Sequence, residues 1–477
     1  MNVVLATSEA IPYAKTGGLA DVTGSLLGEL RSLGVHASLF VPLYQSIRKK
    51  FKPVDTGHSV KVSLGTKSYE SKIFSFDDSV YFIECDEFFN REELYGTSSG
   101  DFEDNAQRFI FFSKAVLEAC IELGLKPDVI HTNDWETALI PLYMKTIYKK
   151  QFPRAASIFT IHNLGYQGIF PSSVMPLTGL GKEWFTLNGI EFFGQVNLLK
   201  AGIIGADIIT TVSKNYARQI LTKEYGAGLE GVLAQREKDI VGILNGIDYN
   251  EWDPSADPAI TARYSLDSLA GKARCRSALK KECGITRRGV PLAGIVGRLS
   301  SQKGIDIFLE AVDEIIRAGL NVVVLGLGEE VLQKGLIAAT KKYRGKVFVK
   351  VGFDEEFARR IYSGCDMLLM PSHYEPCGLV QMIAMRYGAV PVARATGGLV
   401  DTIKDYSHVS GRGTGFLFTG RWPSAMAECV KRAICVYSSK DQWKKLVVGC
   451  MKQRFHWKAS ARKYVALYRE VKRKAMA

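Results

Sequence analysis

The sequence predicts an α/β protein made of two halves, each a parallel sheet covered by helices on both faces. Three observations carry that expectation. The chain has 477 residues, more than one hydrophobic core ordinarily supports. Short, often uninterrupted apolar runs alternate with amphipathic stretches along its length, the pattern of strands buried on both faces. The phrase Thr16-Gly17-Gly18-Leu19-Ala20-Asp21 returns near the other end as Thr396-Gly397-Gly398-Leu399-Val400-Asp401, each time between a strand-like run and a helix-like segment. A glycine pair at such a turn lets backbone amides approach a ligand, and the following helix N-terminus favours an anion. Two copies suggest two related halves facing a common cleft.

In the first half the expected strands are 3–7, 37–41, 80–84, 129–132, 157–161, 208–212 and 240–244, with amphipathic stretches such as 104–123 and 213–221 between them. In the second half they are 292–296, 322–325, 347–351, 367–370, 389–393 and 414–418. The linker falls at 245–265, where Asn-Gly and two Asp-Pro pairs punctuate the chain. The expected domains are therefore 1–245 and 246–456. Residues 457–477 follow as a C-terminal helix, amphipathic over 457–474, that packs back across the junction. Ligands of such folds lie beyond the carboxyl ends of the strands.

Composition narrows the function. Hydrophobic residues at 47% and charged ones at 23% are ordinary for a globular protein, and no apolar run approaches the roughly 20 residues that span a bilayer. The start of the chain shows neither a basic region nor a cleavage site, so no secretory signal is expected; a removed transit peptide would leave no trace. A net charge of +13 suits an anionic small molecule. Its basic tracts lack aromatic interleaving, so no nucleic-acid partner is expected. Nine scattered cysteines without a Cys-x-x-Cys pair point to reduced thiols in a cytosolic compartment, with neither a zinc site nor a disulfide framework.

Several polar phrases stand near the ends of expected strands. Arg298 and Lys303 lie in a loop that enters a helix, and two cations beside a helix N-terminus make a diphosphate site; as bare loop charges they would simply be solvated. Glu375 precedes Cys377-Gly378-Leu379 at the start of another helix. That arrangement suits a carboxylate on sugar hydroxyls beside amides on a phosphate, or equally a helix cap. His162, with Asn163 behind it, is either a satisfied core histidine or a loop residue at a strand end. Asp134-Trp135 pairs a carboxylate with an aromatic face, suited to carbohydrate; alternatively Trp135 is core at a helix start. Gly326-Leu327-Gly328 begins a dinucleotide fingerprint, but Val331 stands where the third glycine belongs.

Taken together, these phrases resemble the bacterial glycogen synthase and plant starch synthase family. The matching segments are Lys15 to Asp21, Asn133-Asp134-Trp135, Ile161 to Gly168, Asn245-Gly246-Ile247-Asp248, Arg298 with Ser301 to Gly304, Glu375 to Leu379, and Thr396 to Leu399. They occur in family order over nearly the whole chain. The resemblance implies a GT-B fold: two Rossmann-like domains with parallel sheets facing across a deep cleft. It also implies a retaining transfer of glucose from ADP-glucose to the non-reducing end of an α-1,4-glucan or maltooligosaccharide. By motif position, Lys15 and Gly18, with Asp21, contact the donor's phosphate–sugar region. Arg298 and Lys303 neutralise the diphosphate; Cys377, Gly378 and Leu379 face it, the last two through backbone amides. Glu375 holds glucose hydroxyls, and His162 lies against the reacting sugar beside Asn163. Phe353 stacks on adenine, Asn245 and Thr396 also face substrate, and Tyr95, Asp134 and Trp135 line the acceptor side. A second glutamate eight positions after Glu375, common in other retaining GT-B enzymes, is replaced by Ile383, as in glycogen and starch synthases.

No metal and no cofactor are expected, because the cations come from the protein, and no membrane partner is expected. The competing readings are another retaining GT-B transferase, such as a sucrose or trehalose-phosphate synthase-like enzyme, and a non-catalytic glucan-binding scaffold. A phosphorylase would need a pyridoxal phosphate lysine, and a nicotinamide dehydrogenase the complete glycine fingerprint.

Overall fold

The structure, a computed structural model, describes residues 1–97 and 100–476. The chain divides into two compact units: Met1–Asn245 together with the C-terminal segment from Trp457, and Gly246–His456. Among the described residues no helix is long and apolar enough to cross a membrane.

The main sheet of the first unit has nine strands. In chain order they are β1 (Asn2–Ala6), β2 (His36–Pro42), β3 (Val54–Leu64), β4 (Lys67–Asp77), β5 (Val80–Ile83), β6 (Val129–Asn133), β7 (Ala156–Ile161), β8 (Ile208–Thr211) and β9 (Ile240–Gly242). Their spatial order is β9-β8-β7-β6-β1-β2-β5-β4-β3. The central strands β1, β6 and β7 are buried almost throughout, because helices cover both faces.

Seven strands run parallel, but β3 and β4 form an antiparallel hairpin joined to β5 at one edge. The expectation of a wholly parallel sheet is corrected there. Its physical reason is the alternation around Val60, Val62 and Leu64, which bury one face while the intervening Lys61 and Ser63 meet water. Residues 65 and 66 supply the tight connection, with Gly65 at φ +58.

The second unit has six strands, all parallel: β10 (Leu292–Val296), β11 (Asn321–Gly326), β12 (Val347–Val351), β13 (Met367–Met370), β14 (Val390–Arg394) and β15 (Phe416–Phe418). Their order is β12-β11-β10-β13-β14-β15. The helices that bear on the site are α1 (Gly18–Ser32), α2 (Asn105–Glu122), α3 (Ile305–Ala318), α4 (Val380–Arg386), α5 (Gly397–Thr402) and α6 (Trp457–Met476).

Helix α6 returns to the first unit. Trp457, Ala461, Tyr464, Tyr468 and Val471 recur at helical spacing and all enter that unit's core. The buried His131 of β6 anchors it: one ring nitrogen lies 2.7 Å from the Tyr468 hydroxyl, the other 2.6 Å from Thr160 Oγ1 on β7. Burial, reinforced by His162, pushes the His131 pKa down to about 3. The unfolded chain therefore binds a proton that the native ring refuses, and stability is lost as pH falls below the ordinary histidine value near 6.5. At pH 5 this one ring costs about 2 kcal/mol. Asp134, whose pKa is raised (below), acts in the opposite sense over the same range. His131→Asn is therefore expected to flatten the fall in melting temperature between pH 7.5 and pH 5 relative to the native chain. Equal slopes in the two proteins would contradict this.

Candidate active site

In the first unit the phrases lie beyond the carboxyl ends of β1, β6 and β7, the central strands. The turn after β1 does bind an anion, but the anion is the chain's own Glu9. Its buried carboxylate accepts hydrogen bonds from Thr16 N (2.5 Å) and Gly17 N (3.1 Å), and from the hydroxyls of Thr16 and Tyr95 (2.7 Å each). Two of the amides at this turn are therefore committed within the chain. Lys15 and Asp21 are paired with each other at 2.7 Å, both partly exposed. Beyond the turn, a Cβ added at Gly17 or Gly18 would meet nothing within 4 Å, so the surface there is open to a close approach. Tyr95 directs its hydroxyl inward to Glu9 and Ser8, and burial with the Glu9 charge raises its pKa.

Asp134 follows β6 in a left-handed conformation (φ +53), a position that costs a non-glycine residue energy and so marks a constraint. Its carboxylate accepts the backbone N–H groups of His162, at 2.7 Å, and Asn163, joining the ends of β6 and β7. Burial drives its pKa up to about 7 against those two donors, with Glu9 adding to the rise. Glu136 is raised as well, by burial and by Asp134.

The His162 ring is set by a short chain of contacts. Asn133 Nδ2 donates to the Ala6 carbonyl, which turns Asn133 Oδ1 toward His162 Nε2 at 2.9 Å. Nε2 therefore carries the hydrogen. Burial lowers the pKa to about 3, so the imidazole is neutral and Nδ1 is its accepting nitrogen. Asn163 closes the following turn through Oδ1 to Gly165 N at 3.0 Å.

The partly buried Trp135 ring packs against the core of the first unit. Phe109 of α2 meets the ring edge-on at 4.9 Å, Phe170 lies at 5.7 Å, and a Cβ on Gly168 would collide with it. Asn245, at the last position before the unit boundary, is buried with Oδ1 lacking a hydrogen-bond partner.

In the second unit the phrases converge at the carboxyl ends of β10, β13 and β14. Arg298 follows β10, is exposed, and donates to Gln302 Oε1 at 3.0 Å. Lys303 and Glu375, 72 residues apart, form a bidentate pair of 2.8 and 2.6 Å. Glu375 is buried and also accepts from Ser372 Oγ at 3.1 Å. Gly304 makes the pair possible: at φ +70 it begins α3, and any Cβ there would strike the Pro371 carbonyl.

Arg394, at the end of β14, secures the Glu375 loop from below by donating to the carbonyls of Ser372 (2.7 Å) and His373. Gln381 of α4 donates to the carbonyls of Cys377 (3.0 Å) and Gly378 (2.8 Å). Cys377 is buried, Gly378 sits at φ +72, and Leu379 caps α4.

The second glycine pair serves packing. A Cβ on Gly397 would collide with the Glu375 carbonyl, and one on Gly398 with the Cys377 carbonyl; the buried Thr396 stands immediately before α5 there. Phe353, just past β12, is 87% exposed, a bare aromatic face at a strand's carboxyl end.

Chemically, the second unit presents two fixed cations and a buried carboxylate within one cluster of loops. The Lys303 ammonium has three N–H groups, of which Glu375 takes two; the third remains for an anionic oxygen. Among the described residues no three His, Cys, Asp or Glu side chains converge so as to hold a metal ion. Sequence reasoning missed Glu9, Arg394 and Gln381. Each stands in the sequence only as a polar residue within or beside an apolar run.

Residues 2–235 match the starch synthase catalytic domain family, and residues 285–446 match glycosyl transferases group 1. Glycogen synthase of Thermodesulfovibrio yellowstonii is 43% identical over 98% of this chain and 97% of its own. Glycogen synthase of Syntrophotalea carbinolica is likewise 43% identical, over 98% and 99%. Among solved structures, the catalytic domain of starch synthase IV from Arabidopsis thaliana, bound to ADP and acarbose, is similar with a TM-score of 0.90 at 33% identity, covering 99% of each chain. Sucrose-phosphate synthase of Thermosynechococcus elongatus, at 18% identity and a TM-score of 0.62 over 98% of each chain, shares the fold.

Proposed function

The chain belongs to the glycogen synthase and starch synthase family of GT-B glycosyltransferases, and on that premise we propose that its donor is ADP-glucose and that it transfers glucose with retention. Its substrates are a nucleotide sugar and an α-glucan acceptor. The observation that supports transfer from a diphosphate-linked glucose is the cluster of Arg298, Lys303 and Glu375 at the carboxyl ends of the second unit's strands.

As the glucosyl–phosphate bond breaks, charge gathers on the departing diphosphate and the sugar becomes oxocarbenium-like. Arg298 and the third N–H of Lys303 stabilise that charge, with the Gly378 and Leu379 amides beside them. Glu375, held by Lys303, orients the glucose hydroxyls. Neutral His162 offers Nδ1 to the reacting sugar, Lys15 and Gly18 contact the donor, and Phe353 stacks on the base. Adenine is favoured by the ADP in the starch synthase IV structure. Retention follows a front-face course in which the leaving phosphate takes the acceptor's proton; a trapped glucosyl adduct on Glu375 would overturn it.

The cations supplied by Arg298 and Lys303 make a metal unnecessary. Activity is expected to survive exhaustive EDTA treatment, and loss restored by magnesium would contradict this. Rates with ADP-glucose and UDP-glucose on one maltooligosaccharide test the donor directly. The expected result is preference for ADP-glucose; faster transfer from UDP-glucose refutes it.

A further inference from the structure

Glu9 belongs to none of the phrases that drew attention in the sequence, yet four donors from the first glycine turn and Tyr95 converge on it. Its Oε2 accepts Thr16 N and Gly17 N, and its Oε1 accepts Thr16 Oγ1 and the Tyr95 hydroxyl. A carboxylate offers about four lone-pair sites, so this one is fully used. Its backbone is fixed as well, the Glu9 carbonyl accepting from Thr7 Oγ1 at 2.9 Å and from Thr23 Oγ1 of α1 at 2.6 Å. The residue is buried, and with every acceptor site of its carboxylate taken by the loop and Tyr95, it acts through those groups.

Resting on the assignment of Lys15 and Gly18 to the donor, we propose that Glu9 is a positioning residue for glucosyl transfer. One carboxylate sets the donor-side turn and the acceptor-side Tyr95 in a common geometry. Thr16 and Gly17 are the two residues between Lys15 and Gly18. Fixing two successive N–H groups on one oxygen fixes the direction in which Lys15 leaves the turn and the surface that Gly18 presents. Asp21 then steadies the Lys15 ammonium from α1. Glutamine in place of Glu9 keeps the volume but puts an amide N–H₂ where one accepting oxygen was, so it cannot receive all four donors.

The test is a double-variant cycle on the full-length enzyme, reading kcat and donor KM together with the melting temperature. Glu9→Gln is expected to stay folded and to lose about 100-fold in kcat/KM for the donor, the cost of a displaced positioning loop. Because Glu9 acts through Lys15, E9Q/K15A is expected to fall no further than K15A alone, within about threefold. Losses that multiply mean that Glu9 supports only the fold, and they overturn the proposal, as does an E9Q enzyme within threefold of the native rate. If E9Q does not fold, T16V replaces it in the same cycle by deleting one Glu9 partner at the loop. Its loss should likewise vanish on the K15A background, and an additive loss overturns the proposal. Native donor kinetics in K15A instead refute the donor role of Lys15 itself, a separate outcome that removes the premise.

Discussion

Lys303→Ala is expected to lower turnover by roughly two to three orders of magnitude and also to destabilise the second unit, whereas Arg298→Ala lowers turnover without that loss. Both effects of Lys303→Ala have one source. The Lys303 ammonium is the bidentate partner of Glu375, a carboxylate only 4% exposed. Removing it would take a cation from the leaving diphosphate under the proposed assignment, and it leaves a buried acid held by Ser372 Oγ, at a cost of roughly 1–3 kcal/mol. Arg298 is exposed and bonds Gln302 at the surface of the same loop, so its truncation should move stability by about 0.5 kcal/mol or less. Kinetics and thermal melts of both variants check the contrast. A Lys303→Ala enzyme as stable as Arg298→Ala would show that the pair does not hold the Glu375 loop.

Gly398→Ala and Gly18→Ala are expected to fail in different ways, although the two residues occupy matching places in the repeated phrase. Alanine at 398 drives its Cβ into the Cys377 carbonyl. Backbone there cannot yield cheaply, so the loop carrying Glu375 must shift, with a stability loss of about 1–3 kcal/mol or more and near-complete loss of activity. Alanine at 18 meets nothing within 4 Å and stands at the first position of α1, where it should leave the fold intact or slightly firmer. Its expected defect is a raised donor KM, because the added methyl occupies the surface that the donor approaches. Melting curves and donor titrations of the two variants separate these outcomes. Native donor KM in Gly18→Ala would remove the first glycine turn from the donor site.

Much of this was legible in the sequence because parallel strands buried on both faces are uninterrupted apolar runs. Leu292–Val296 and Met367–Met370 could be read to the residue. The β3–β4 hairpin is less legible because its strands have a wet face and carry their signal in alternation alone. The site phrases were legible as residue types at strand ends, but their pairings were not. Lys303 meets Glu375 across 72 residues, and Glu9 gathers partners 7, 8 and 86 positions away. No local pattern encodes such contacts. The repeated glycine phrase shows the limit most plainly: identical letters serve an open surface in one copy and backbone packing in the other.

Incubating the purified enzyme with ADP-[14C]glucose and maltoheptaose, then digesting the product with β-amylase, tests the central claim most directly. The account predicts label on an octasaccharide and longer chains, released as maltose because each new linkage is α-1,4 at a non-reducing end. Label recovered only as free glucose, or in a product that β-amylase cannot cleave, would contradict it.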